Sequence, residues 1–117
     1  METIIVKYKK NIFRIRVKRL NFFQKGIGLA FKLKKDNVSN LLFSFNKDKN
    51  IALTSYFVFF PFLVLWLDKD NSVNEYRVVK PFQIKITSSK PFRSIIEIPL
   101  SKKNESITKF FVDRGNI

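Results

Sequence analysis

The chain has 117 residues, 45% of them apolar, which suits a single domain built around one hydrophobic core. Its 23 Lys and Arg outnumber 9 Asp and Glu, giving a formal charge of +14, and such a field attracts anions: RNA or DNA, acidic proteins or an anionic membrane surface. There is no Cys and no His, which excludes thiol nucleophiles, disulfides, structural zinc, His acid–base catalysis and a Ser-His-Asp triad. A cytoplasmic protein without a cofactor is the expectation.

The charge is concentrated early. Residues 1–35 hold eleven basic residues against the single acid Glu2, so this segment carries +10 of the total. Residues 3–8 are the expected first strand of a hairpin that turns at Lys9-Lys10-Asn11. In 12–19 the apolar Phe13, Ile15 and Val17 alternate with the basic Arg14, Arg16 and Lys18, the period of a strand with one face in the core and one in water. Only 21–35 suits a short helix, and Gly26 and Gly28 count against it. Leu41, Phe43 and Phe45 alternate again and end in the polar run 46–50.

Residues 50–67 are 18 without a charge, close to the about 20 that a helical membrane span requires. Thr54 and Ser55 interrupt the run, Pro61 breaks its middle, and β-branched and aromatic residues dominate, so two buried strands meeting at Pro61 are expected. Those strands are 56–60 and 62–67, and further strands are expected over 73–79, 82–87, 92–98 and 107–112. Polar or Pro-containing punctuation separates them at 68–72, 80–81, 88–91 and 101–104. The pattern indicates an all-β, or mostly β, domain over 1–117: a single jelly-roll-like sandwich or barrel with at most one short helix.

The landmarks Gly28-Leu29-Ala30-Phe31-Lys32, Leu42-Phe43-Ser44-Phe45, Phe57-Val58-Phe59-Phe60-Pro61, Val64-Leu65-Trp66-Leu67-Asp68, Val73, Lys80-Pro81-Phe82 and Ile95-Ile96-Glu97-Ile98-Pro99 follow one another in an order that resembles the family catalogued as domain of unknown function 192. That resemblance spans residues 12 to about 100. It implies a compact jelly-roll β-sandwich and no activity. The chain departs from the family at Ala30, Thr54-Ser55, Leu63 and Ser101, while Asp68, Lys80 and Glu97 remain. A polar ligand site in the family would be lost here.

Several motifs reduce to plainer structure. Asp68-Lys69-Asp70-Asn71-Ser72 starts like a calcium loop but lacks the Gly at loop position six and has Val79 where position twelve needs Glu, so it reads as a polar β-turn. Gly26-Ile27-Gly28 is followed by Phe31 where a dinucleotide loop needs its third glycine. Asn37-Val38-Ser39 and Asn104-Glu105-Ser106 match a glycosylation sequon that has no meaning in the cytoplasm. Glu97, between Ile96 and Ile98, is expected on the outward face of its strand.

The basic hairpin is the strongest functional feature. Alternate residues on one strand face stand about 6.6 Å apart, so Arg14, Arg16 and Lys18 form a regular row of cations, extended by Lys7, Lys9 and Arg19. Such a row follows a phosphate backbone by counterion release without reading bases. The bland alternative is a solvated sheet face whose lysines discourage edge-to-edge aggregation. The sequence thus reads as a noncatalytic domain binding nucleic acid or another anionic polymer. The rival from another class is an enzyme or small-ligand protein with a polar site around Asp68, Lys80 and Glu97.

Overall fold

The computed structural model describes residues 1–20, 38–53, 55, 58–83 and 85–115. The expected helix at 21–35 lies outside them. Alternation shapes the first hairpin, in which β1 (Glu2–Tyr8) and β2 (Asn11–Arg19) pair antiparallel, Tyr8 facing Asn11 and Glu2 facing Val17. Val6, Ile15 and Val17 are buried, while Lys7, Arg14, Arg16 and Lys18 point to water. The turn itself is only Lys9 and Lys10, since Asn11 already belongs to β2. Lys9 takes φ 55°, a left-handed conformation that a residue with a Cβ adopts at a cost on the order of 1 kcal/mol.

Four more strands complete one sheet: β3 (Leu41–Lys49), β4 (Phe62–Leu67), β5 (Val73–Val79) and β6 (Phe92–Pro99). Their spatial order is β1-β2-β3-β6-β4-β5, and every pairing is antiparallel except β2 with β3. The sheet curls until its two edges approach. The Lys7 N–H donates to the Asn71 carbonyl at 2.9 Å, and Lys7 bridges Ser72 just before β5. The result is a half-barrel with an inner and an outer core.

β4 lies between β6 and β5 and shows why its sequence has no alternation. Phe62, Val64 and Trp66 enter one core, Leu63, Leu65 and Leu67 the other, and all six are buried. A strand covered on both faces must be apolar throughout.

A helix fills the concave side. α1 (Glu105–Gly115) follows a 3-10 turn at Lys102–Asn104 and sets Ile107 and Phe111 among Val6, Ile15, Leu63, Leu65 and Ile98. This corrects the strand expected over 107–112. Ile107 and Phe111 are four apart, with Phe110 one turn from Ile107, so one helical face is apolar. Asn104 anchors the start, its Nδ2 donating to the Pro99 carbonyl at 2.9 Å and to Ser101 Oγ at 3.0 Å. The β-branched and aromatic content favoured a strand locally; burial of this face in the half-barrel outweighs it.

Two further expectations fail for a common reason. Of the strands expected at 56–60 and 82–87, residues 56, 57 and 84 lie outside the described ones; 58–60 form no strand, and among the described residues of 82–87 only Ile86 forms a bridge, with Leu53. Buried Ser55 ties the two segments together instead. Its Oγ donates to the Lys80 carbonyl at 2.7 Å and accepts the Gln83 N–H at 2.8 Å, while its carbonyl accepts the N–H groups of Val58 and Phe82. These bonds favour turns over a ladder, and Phe82 takes φ 65° within them. The mostly β class with one short helix holds. The described strands form one curled sheet, and a two-sheet jelly roll is not seen among them. Among the described residues no helix is long and apolar enough to cross a membrane.

Candidate nucleic-acid interface

The hairpin register sorts the six candidate cations. Arg14 faces Ile5, Arg16 faces Thr3 and Lys7 faces Ile12 across the two strands. Lys7, Arg14, Arg16 and Lys18 therefore share one exposed face, opposite to the one holding Val6, Ile15 and Val17. Among the described residues none of these four is ion-paired. The face also carries Ile5 and Ile12, 48% and 68% exposed, which gives it an apolar centre flanked by cations.

The other two candidates sit elsewhere. Lys9 stands at the hairpin tip, its ammonium 5.3 Å from the centroid of the Tyr8 ring. Arg19 has the opposite parity and grips Glu2 with two hydrogen bonds, 2.7 and 3.1 Å. The Glu2 carboxylate raises the pKa of the Arg19 guanidinium, and the Arg19 hydrogen bonds lower that of Glu2. The charge of Arg19 is thereby balanced at the mouth of the hairpin.

One cation escaped the sequence reading. Lys103, in the turn before α1, joins Arg14 and Arg16 around a groove of about 590 Å³ beside β2. In the sequence it is one of a pair of lysines in a polar turn, and only the docking of α1 brings it here.

The rival polar site does not assemble. Asp68 caps the β4–β5 turn, its Oδ1 accepting the N–H groups of Asp70 and Ser72 at 2.8 and 3.0 Å. Lys80 follows the far end of β5, beyond the Phe62–Val79 pair, so the length of β4 separates it from Asp68 by about 20 Å. Glu97 lies mid-strand between Leu41 of β3 and Val64 of β4. It is buried, 5% exposed, which corrects the expectation of an outward-facing carboxylate. Its parity places it with Ile95 on the outer core face, away from α1. Burial pushes its carboxyl up to about 8, so it is a neutral acid at neutral pH. Among the described residues no group of three His, Cys, Asp or Glu is placed to hold a metal ion.

No family model and no curated protein matches the chain. Two solved structures share its fold. A presumed transcription regulator from Sinorhizobium meliloti 1021 superposes with a TM-score of 0.71 at 14% identity, over 89% of this chain and 82% of its own. A protein of unknown function from Novosphingobium aromaticivorans DSM 12444 does so with a TM-score of 0.64 at 15% identity, over 91% of this chain and 76% of its own.

Proposed function

We propose that the domain is a noncatalytic, cytoplasmic nucleic-acid-binding module that engages phosphates through Lys7, Arg14, Arg16 and Lys18, with Lys9 at the end of the row. The observation that carries this reading is four exposed cations on one hairpin face, none ion-paired among the described residues. Their spacing along β2 is close to that of successive phosphates on an extended strand, and exposed Ile5 and Ile12 offer apolar contact to sugars or bases. A fold neighbour named as a presumed transcription regulator agrees with it. Kinship with the domain of unknown function 192 family is a separate proposal, supported by the ordered landmarks between Gly28 and Pro99, and it adds no activity.

The test is a salt titration. Wild type should bind an oligonucleotide with little sequence preference, log K falling by about 0.7–0.9 per phosphate neutralised as log salt rises. Replacing Arg14, Arg16 and Lys18 with Gln should leave the fold intact and reduce that slope by about two to three units. The variant retains +11, the original +14 less three, so general attraction needs its own control. Replacing the exposed Lys47, Lys85 and Lys90 removes equal charge from the end of β3 and the 80–91 segment. Equal weakening by both triples would mean that the hairpin face is no site.

A further inference from the structure

β2 is paired with β1 from Asn11 to Val17 but with β3 only at Lys18 and Arg19. A two-residue turn makes Tyr8 and Asn11 a hydrogen-bonded pair, and alternate pairs along the hairpin repeat that pattern. The backbone groups of Ile12, Arg14, Arg16 and Lys18 therefore aim away from β1. Two contacts fix this parity: the Lys18 N–H donates to the Asn40 carbonyl at 2.8 Å, and Asn40 Nδ2 donates to the Arg16 carbonyl at 3.0 Å. Closer to the hairpin tip, no described strand pairs with Ile12 or Arg14 on that side.

On that side the described residues leave a groove. It runs between this edge and the start of α1, about 590 Å³ in volume, and among the described residues its walls include Arg14, Arg16 and Lys103 and no carboxylate. Asn40 also lines it. The Asn40 side chain is 7% exposed, and its Oδ1 has no donor among the described residues.

We infer that the open edge of β2 accepts an extended acidic peptide as an added strand. The guest backbone pairs with the outward N–H and C=O groups of Ile12 and Arg14. Guest carboxylates meet Arg14, Arg16 and Lys103. A phosphodiester backbone has no N–H row to match alternating carbonyls, so nucleic acid fits the cationic face of β2 better than its edge. A second copy docking edge to edge would bring one row of Arg14 and Arg16 against another, a repulsive arrangement. This inference shares Arg14 and Arg16 with the nucleic-acid reading but adds the backbone edge of β2, which that reading does not use.

The probe is a fluorescent peptide of alternating Glu and Val, followed by anisotropy at low salt. N-methylating every second residue, in each of the two frames, removes one row of N–H groups and leaves every charge in place. The wild-type domain should bind the parent peptide, and methylation in one frame should weaken binding by about tenfold or more, the loss of at least one hydrogen bond. Ile12→Pro removes an N–H aimed into the groove without changing charge, at a strand-edge position that tolerates Pro. It should weaken the peptide similarly. Equal affinity for both methylated frames and the parent would overturn the inference, leaving charge attraction alone. So would a dimer held through this edge in sedimentation of the peptide-free protein. Because the methylated peptides use the wild-type domain, the result stands whether or not the Pro variant folds. Loss of oligonucleotide binding alone sinks only the nucleic-acid reading.

Discussion

Glu97 gives the sequence Ile95-Ile96-Glu97-Ile98 a meaning that its letters conceal. Folded, its carboxyl keeps a proton up to about pH 8; in the unfolded chain it releases that proton near 4.5. Between those values the unfolded state binds fewer protons, so the contribution of Glu97 to stability is greatest below about pH 4.5 and declines as pH rises towards about 8. Glu97→Gln should remove that slope. Urea unfolding should find the variant stabilised by on the order of 3 kcal/mol at about pH 7 and little changed at about pH 4. An unaltered pH slope would show that burial does not hold this proton. Two aromatics make a paired test at the same scale. Trp66 is fully buried, so Trp66→Ala should cost about 3–5 kcal/mol. Phe59 resembles it in sequence setting but is 44% exposed, its ring 5.7 Å from that of exposed Phe82. Phe59→Ala should cost about 1 kcal/mol or less by the same measurement.

Among the elements, β2 and α1 differ most in how openly the sequence shows them. β2 alternates strictly, so its period alone assigns the face of Arg14, Arg16 and Lys18. α1 carries Ile107, Thr108, Phe110, Phe111 and Val112, residue types that suit a strand, and its helical spacing covers little more than one turn. What makes it a helix is the concave sheet beneath. Phe111 is fully buried and reaches Tyr8, Phe13 and Tyr76, with ring centroids 5.4, 5.5 and 4.9 Å away. These three rings come from β1, β2 and β5, so the helix closes the two edges of the half-barrel together. Phe111→Ala should therefore cost about 3–5 kcal/mol in urea unfolding. The loss should also appear as faster amide exchange in β1 and β5, the strands it joins. A cost near zero, with exchange unchanged, would mean that α1 merely rests on the sheet.

At the scale of the whole molecule, the sheet order decides which cations act together. The parallel contact of β2 with β3 is short, two residue pairs, and it leaves the edge that Arg14, Arg16 and Lys103 surround. Net charge predicts attraction to anions from any direction; only the arrangement of strands gives that attraction a row and a groove. The same arrangement scatters Asp68, Lys80 and Glu97 along β4 and its neighbours, which is why a polar site built on them does not form.

By itself the sequence determined whatever depends on composition or on a period of two. It excluded thiol and imidazole chemistry, pointed to a mostly β domain, put the cations of β2 on one face and made the apolar run 62–67 a buried strand. Those properties are local, because a strand's alternation sets its faces wherever it is placed. The tertiary structure decided the rest: the helix at 105–115, the exposure of Phe59, the burial of Glu97 and the arrival of Lys103 beside β2. Each depends on which surface a segment meets. Spacing along the chain carries no record of that surface, and burial free energy then overrides local propensity.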